Sequence, residues 1–238
     1  MQLSAYQLSV MAAASVKTDL KIAIIGANDG KINDPLFPLI KGPLRNRCTA
    51  ALIEPNESLR PALLKNYSFT ERKFIINAAV SDQARITLHC VKEEFWAHCQ
   101  PDYAQGWPDY RAPTGITSTD RHFVKNWIET HQSIDFNSEA AIEARTVGCS
   151  RLQPLLSENA SMDSIDILQI DAEGYDDHAL YASDIDLLIP GIIFIEVIHL
   201  SRERITTLKN YLKQLGYSCI SQGQNMLALR VSENATDQ

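Results

Sequence analysis

Short apolar runs alternate along this chain with segments of helical pattern. Six runs are predicted to be strands, namely KIAIIGA (21–27), TAALIEP (49–55), KFIINAAVS (73–81), ARITLHCV (84–91), IDILQIDAEG (165–174) and GIIFIEVIHL (191–200). Parallel strands need long crossover connections, which helices usually supply. The alternation is therefore typical of an α/β fold with a doubly wound, mostly parallel sheet.

The C-terminal part of the chain predicts how this sheet ends. The longest helix is predicted over residues 201–216, where Ser201 is a favourable N-cap and Gly216 a favourable stop. Two short runs, SCISQ (218–222) and NMLALRV (225–231), flank the turn GQN. They predict a hairpin that adds a final antiparallel strand to the sheet.

Connecting helices are predicted to begin near Asp34, Glu57 and Asp176, and residues 1–20 are predicted to hold an amphipathic helix. One segment departs from this alternation of strands and helices. Residues 92–140, called the insertion below, are instead rich in aromatic residues and proline and have little periodicity. Long irregular insertions are often lids or binding loops, although a surface excursion is the alternative. We expect a single domain over residues 1–238 with a substrate-binding or lid insertion.

Composition excludes several classes of protein. The formal net charge is −7 and the sequence has no cluster of Lys or Arg, which argues against a nucleic-acid partner. Five cysteines without a C-x-x-C pair fit reduced thiols better than disulfides or a zinc site. The N-terminus lacks the basic region of a signal peptide, and no apolar run approaches the roughly 20 residues that span a bilayer. We therefore expect a cytoplasmic protein without membrane contact, and an oligomer stays open.

The loop GANDG, residues 26–30, follows the first predicted strand and indicates a nucleotide-like ligand. A dinucleotide fingerprint would have glycine at the positions of Asn28 and Lys31. Asp29 would also repel a pyrophosphate. A cofactor with a nucleoside and a cationic or zwitterionic tail suits these residues better.

Glu54 ends the second predicted strand, 24 residues after Gly30. An acid near this position can accept hydrogen bonds from both ribose hydroxyls of a nucleoside. The alternative is a surface glutamate that begins a turn before Pro55.

These motifs together resemble the FkbM-type methyltransferases. The resemblance rests on IIGANDG, ALIEPNESLRPALLKNY, NAAVSD, IDILQIDAEGYDDHAL and IIFIEVIHL, which occur in the family's order and cover most of residues 22–200. It implies a Rossmann-like class I methyltransferase fold and S-adenosylmethionine as cofactor. It also implies O-methyl transfer, the activity of most members.

The resemblance assigns the parts of the cofactor to three groups of residues. The methionine part is expected at Gly26, Ala27, Asn28, Asp29 and Gly30, the ribose at Glu54 with Pro55 and Asn56, and the adenine near Ala79, Val80, Ser81 and Asp82. Related enzymes often have an acid two residues before the first glycine, where this chain has Ile24. Asp29 is expected to take over part of that role.

Ionisable residues cluster at two predicted strand ends, which lie at the edge where doubly wound sheets bind ligands. Asp171 is expected to face the cofactor, and Glu173 lies two residues further on. Glu196 and His199 end the next strand, and His199 is our candidate general base. These four residues are alternatively a site for a hard divalent cation, but their spacing is not a metal motif, and we predict no metal.

The acceptor is expected between these strand ends and the insertion. The stretch GITSTDRHF offers five polar side chains to a hydroxylated or carboxylated molecule, namely Thr117, Ser118, Thr119, Arg121 and His122. Four aromatic residues, Trp96, Tyr103, Trp107 and Tyr110, could form a wall for a cyclic or sugar-like molecule or simply pack the insertion. We expect O-methylation of a small natural-product or glycan intermediate. N-methylation stays open, as does a non-catalytic sensing or partner-binding module, which the missing acid at Ile24 favours.

Overall fold

The computed structural model describes residues 3–231. Its strands are β1 (Leu20–Ile25), β2 (Cys48–Ile53), β3 (Lys73–Ile76), β4 (Ala79–Val80), β5 (Arg85–Val91), β6 (Ile142–Ser150), β7 (Ile167–Ile170), β8 (Ile192–Glu196), β9 (Tyr217–Gln222) and β10 (Asn225–Arg230). Its α-helices are α1 (Ala5–Val16), α2 (Phe37–Lys41), α3 (Arg60–Asn66), α4 (Arg111–Gly115), α5 (Arg121–His131), α6 (Leu152–Ala160), α7 (Asp176–Tyr181), α8 (Ile185–Leu188) and α9 (Arg202–Gln214). Short 3₁₀ helices lie at Glu57–Leu59, Glu93–His98 and Asp102–Ala104.

Seven strands form the main sheet, in the order β3-β2-β1-β7-β8-β10-β9. The first five strands of this order pair in parallel, whereas β10 pairs antiparallel with both β8 and β9. The strand order reverses between β1 and β7, which makes the gap beyond their carboxyl ends the expected place for a ligand. The predicted doubly wound sheet with an antiparallel end is confirmed.

Buried side chains lie on both faces of the main sheet. Successive side chains of a strand point to opposite faces, so neighbouring residues of β1 belong to two different buried clusters. Ala23 and Ile25 of β1 belong to a buried cluster that includes Leu208 of α9. Ile22 and Ile24 belong to a second cluster with residues of α1, α2 and α3. The fold is therefore a helix–sheet–helix sandwich, and its central strands are apolar on both sides.

The helix ends follow the predicted signals where those signals are strong. The Ser201 hydroxyl accepts a hydrogen bond from the Arg204 amide at the start of α9, and Gly216 follows the helix with φ of +83°. The Ser4 hydroxyl and the Gln7 side chain form a reciprocal capping box at the start of α1.

Two predicted strands differ from the structure. The run 73–81 breaks into β3, in the main sheet, and β4, which joins β5 and β6 in a separate three-stranded sheet. Strand β5 pairs antiparallel with β6, which the sequence did not predict. Ile86 and Leu88 of β5 are buried while Arg85 and Thr87 are exposed, the alternation of a strand covered on one face.

The insertion is more regular than its sequence indicated. It contains α4 and α5, and α5 starts at Asp120, whose carboxylate accepts hydrogen bonds from the amides of His122 and Phe123. Val124 and Ile128 of α5 pack in a small core that is separate from the two clusters of the main sheet. Within residues 3–231, no helix is long and apolar enough to cross a membrane.

Candidate active site

The carboxyl ends of β1, β2 and β7 meet at a small cavity, called the inner cavity below, of about 80 Å³. Gly26 follows β1 with φ of +74°, and a Cβ there would lie 1.7 Å from the carbonyl oxygen of Asp171. Only glycine therefore lets the two strand ends approach so closely. This approach brings the backbone of the GANDG loop beside Asp171.

Glu54 lies at the end of β2 and is buried. Its carboxylate accepts 2.8 Å hydrogen bonds from the backbone amides of Asn28 and Asn56, which hold it in place. Burial, and the nearby charge of Asp171, raise the pKa of this carboxyl to about 7. Glu54 lines the inner cavity, so it is a fixed acceptor and not a surface glutamate.

The inner cavity collects seven of the residues predicted for the cofactor, namely Gly26, Asn28, Glu54, Pro55, Ala79, Val80 and Asp171. Six others do not line it, namely Ala27, Asp29, Gly30, Asn56, Ser81 and Asp82. Ser81 is buried and its hydroxyl lies 2.9 Å from that of Tyr175, while Asp82 is exposed. Strand β4 ends at Val80, so the chain has already turned away at these two positions.

The side chain of Asp29, which was expected to take over part of the role of an acid at Ile24, holds the turn after β1. The residue is 1% exposed, and its carboxylate accepts hydrogen bonds from the amides of Lys31 and Ile32, which close the turn after β1. Asp29 does not line the inner cavity, whereas the carboxyl groups of Glu54, Asp171 and Glu173 do.

Helix α4 of the insertion covers the inner cavity. Thr114 lies against the loop after β1, where its hydroxyl is 3.3 Å from the Asn28 side-chain nitrogen. Arg111 donates a 2.8 Å hydrogen bond to the carbonyl oxygen of Ile32. A nucleoside cofactor needs more than about 80 Å³, so the lining of the inner cavity, to which α4 belongs, has to open for such a ligand to enter. Sequence reasoning missed these contacts, because nothing in one sequence tells which part of an insertion folds back.

A larger cavity of about 920 Å³, called the outer cavity, adjoins the inner one. Four residues line both cavities, namely Arg111, Gly115, Asp171 and Glu173. Five aromatic side chains line the outer cavity, namely Tyr103, Trp107, Phe123, Trp127 and Phe194. Tyr103 and Trp107, two of the four aromatic residues that the sequence suggested as a wall, thus line the outer cavity. Trp96 and Tyr110 line neither cavity.

His199 lies in the outer cavity between two carboxyl groups. Its Nε2 atom is 3.4 Å from a carboxyl oxygen of Glu173 and 3.7 Å from one of Glu196. The ring of Phe123 meets the imidazole edge-on, with 4.8 Å between the ring centroids. The structure therefore brings together the residues that the sequence predicted for catalysis.

The carboxyl groups around His199 crowd one another. Burial, and repulsion from Asp171 and Glu173, raise the pKa of Glu196 to about 9. Burial and the charges of Asp171 and Asp176 also raise the pKa of Glu173 well above its ordinary value. Like charges at close range cannot all ionise, so this cluster retains protons near neutral pH. Strongly shifted carboxyl groups in a cleft are typical of functional sites.

The structure does not gather the five polar side chains predicted for the acceptor, and none of them lines the outer cavity. Thr117 lines the inner cavity, but the Ser118 hydroxyl donates to the Glu173 carbonyl oxygen. Thr119 lines neither cavity, and Arg121 and His122 lie exposed in the first turn of α5, where Arg121 pairs with Glu139. A helix turn starts at Asp120 and directs these side chains to the surface. Phe123, one residue further, reaches the outer cavity instead.

Two groups of side chains have the spacing of metal ligands. Ligand atoms of Glu173, Glu196 and His199 lie within 4.8 Å of one another, as do those of Asp171, Asp176 and Glu196. Asp176 already accepts hydrogen bonds from the amides of Ala172 and Gly174, which hold the turn after β7. The first group is therefore the better candidate for a cation, and a chelator experiment is described below.

A family model described as the methyltransferase FkbM domain matches residues 25–219. The chain belongs to the FkbM methyltransferase family. The predicted family and the predicted cofactor, S-adenosylmethionine, are thereby confirmed. No curated protein matches the chain.

Solved structures resemble this FkbM-family protein at low identity. A precorrin-6y C5,15-methyltransferase from Geobacter metallireducens has 12% identity and a TM-score of 0.44, over 96% of this chain and 91% of its own. A TehB-like S-adenosylmethionine-dependent methyltransferase from Corynebacterium glutamicum has 10% identity and a TM-score of 0.40, over 95% and 86%. The O-methyltransferase NovP has 10% identity and a TM-score of 0.39, over 94% and 76%.

The residues of the inner cavity fit the family's cofactor. Glu54 offers carboxylate oxygens to ribose hydroxyls, and Asp171 offers a carboxylate to an ammonium group. Apolar side chains for a purine ring line the same cavity, namely Ile53, Val80, Ile86 and Leu88.

Proposed function

We propose that this protein transfers a methyl group from S-adenosylmethionine to a hydroxyl oxygen of a small acceptor, such as a natural-product or glycan intermediate. The observation that carries the proposal is the position of His199. Its Nε2 lies 3.4 Å from Glu173, a residue that lines both the cofactor cavity and the outer cavity. A proton acceptor at that junction is what a hydroxyl nucleophile needs.

The proposed task of the inner cavity is to hold the cofactor in one orientation. When bound, S-adenosylmethionine supplies a methyl group on a sulfonium, which is a good leaving group. Glu54 binds the ribose and Asp171 binds the ammonium group. Since transfer requires the acceptor oxygen in line with the methyl group, fixed anchors contribute to the rate through orientation.

The proposed task of the outer cavity is to bind the acceptor and take its proton. His199 accepts the hydroxyl proton, while Glu173 and Glu196, whose carboxyl oxygens lie 3.4 Å and 3.7 Å from Nε2, hold the imidazole in its orientation. Tyr103 and Trp107 form one wall, with their rings edge-on at 5.9 Å between centroids. Aromatic walls of this kind suit a ring-shaped acceptor.

The acceptor itself can be identified by mass spectrometry of small molecules that co-purify with the protein. Each candidate is then incubated with isotope-labelled S-adenosylmethionine, and the methylated atom is located in the product. An O-methyl product supports the proposal, whereas an N-methyl product overturns the choice of atom. A protein that binds the cofactor but methylates none of its co-purified ligands would be the non-catalytic module.

The cofactor can be checked independently of the acceptor. S-Adenosylhomocysteine should raise the melting temperature, because a ligand that binds only the folded state stabilises it. NAD should leave the melting temperature unchanged. The opposite pattern would overturn the proposed use of the inner cavity.

A further inference from the structure

Arg111 lies where the two cavities meet, and the family match gives it no role. It is one of the four residues that line both cavities. Among the described residues that line either cavity, Arg111 is the single lysine or arginine. It comes from α4 in the insertion, whereas Asp171, which also lines both, follows β7 of the main sheet.

The guanidinium of Arg111 is buried but incompletely bonded. The side chain is 12% exposed, and one of its terminal nitrogens donates to the Ile32 carbonyl oxygen. Its Nε atom is 3.7 Å from an Asp29 carboxylate oxygen and has no hydrogen-bond acceptor among residues 3–231. A buried donor left without an acceptor costs free energy, and an acceptor atom of a bound ligand would remove that cost.

The charges around Arg111 point to the kind of ligand. Glu54, Asp171 and Glu173 all line the inner cavity, and their charges disfavour any anion that approaches without a cation beside it. Burial raises the pKa of each of these three carboxyl groups, and the positive charge of Arg111 opposes that rise in all three. The site thus offers one cation beside several carboxylates, which suits a zwitterion.

We propose that Arg111 binds the carboxylate at the methionine end of S-adenosylmethionine, while Asp171 takes the ammonium group. The inference rests on the proposed use of the inner cavity. Its consequence is that α4 closes over the cofactor through a charged hydrogen bond, so the insertion that walls the outer cavity also completes the cofactor site.

The test compares S-adenosylmethionine with decarboxylated S-adenosylmethionine, which lacks only the carboxylate. Affinities for both are measured by calorimetry with the full chain, as wild type, Arg111→Gln and Arg111→Lys. Hydrogen bonds between charged groups predict that Arg111→Gln binds S-adenosylmethionine about 10- to 100-fold more weakly. Its affinity for the decarboxylated form should change little, so the preference for the carboxylate disappears. Arg111→Lys keeps the charge and should retain part of that preference.

The matched control is Arg151→Gln, because Arg151 also pairs with a carboxylate, that of Asp184, but lines neither cavity. It should keep the wild-type preference. Equal weakening of both ligands in Arg111→Gln would make Arg111 a merely structural latch and overturn the inference. Unchanged affinities would overturn it too. If wild-type protein binds neither ligand, the proposed cofactor site itself is wrong, and the inference falls with it.

Discussion

The inner and outer cavities share an edge but are built from different parts of the fold. The inner cavity lies at strand ends of the main sheet, where backbone hydrogen bonds hold the loop after β1 and Glu54 in position. Four of the five aromatic side chains that line the outer cavity come from the insertion, and two of them, Phe123 and Trp127, pack against the insertion's own core. A cavity fixed by the sheet suits an invariable cofactor, whereas a separately packed wall can change with the acceptor without disturbing the sheet.

The two cavities also differ in electrostatics. In the inner cavity the carboxylate of Glu54 receives two backbone amide hydrogen bonds, which favour its charged form. In the outer cavity an oxygen of Glu196 is buried without a hydrogen-bond partner in the described chain, and the pKa of this carboxyl is about 9. Such an arrangement lowers stability, and functional sites commonly accept that cost.

The largest expected effect is on turnover and concerns His199, and it tests whether the two cavities have different functions. His199→Ala should lower turnover by about 10²- to 10⁴-fold, the usual contribution of a positioned acid or base, while cofactor affinity stays almost unchanged. Steady-state kinetics and calorimetry measure the two quantities. The control is His98→Ala, since His98 is a histidine that lines neither cavity. Equal loss of turnover in both variants would contradict the role of His199.

A chelator distinguishes this role from that of a cation held by Glu173, Glu196 and His199. We expect wild-type activity to persist in EDTA, because histidine is a poor ligand for hard cations such as Mg²⁺. Activity that vanishes in EDTA and returns with added Mg²⁺ would instead make these side chains a metal site. In that case, excess ion should partly rescue His199→Ala.

The residues at the strand ends of both cavities were predictable from the sequence, whereas the way in which the insertion folds onto them was not. Gly26, Glu54 and Asp171 each follow an apolar strand, so their neighbourhood depends only on the order of parallel strands. Arg111 and Trp127 reach the cavities through the way in which the insertion folds back, and no local pattern encodes that path. Strand β6 was missed because polar residues interrupt its apolar pattern on an exposed face.

The prediction of intermediate size concerns cofactor affinity and tests Glu54, the proposed ribose-binding residue of the inner cavity. Glu54→Ala should weaken cofactor affinity by about ten- to a hundredfold, because charged hydrogen bonds to the ribose contribute roughly 1.5–3 kcal/mol. Calorimetry with S-adenosylhomocysteine measures the change. Glu57→Ala, three residues later and lining neither cavity, should bind like wild type. An unchanged affinity in folded Glu54→Ala would move the ribose site elsewhere.

The smallest expected effect concerns the stability cost in the outer cavity. The pKa of Glu196 is about 9 in the folded protein against an ordinary value of 4.5, so the folded state holds a proton that the unfolded state releases between these values. The free energy of unfolding therefore falls as the pH rises across this range. Glutamine cannot ionise, so Glu196→Gln should remove that fall.

Thermal melts without cofactor, at pH 5, 7 and 9, give the comparison. The variant should melt close to wild type at pH 5 and several degrees higher at pH 9, since each kcal/mol shifts the melting temperature of a protein this size by about 2–4 °C. Glu158→Gln, at an exposed position of α6, should follow wild type at every pH. A gap between Glu196→Gln and wild type that stays constant from pH 5 to pH 9 would mean that Glu196 is already ionised in the folded protein. The crowding of carboxyl groups that distinguishes the outer cavity from the inner one would then be relieved by another contact.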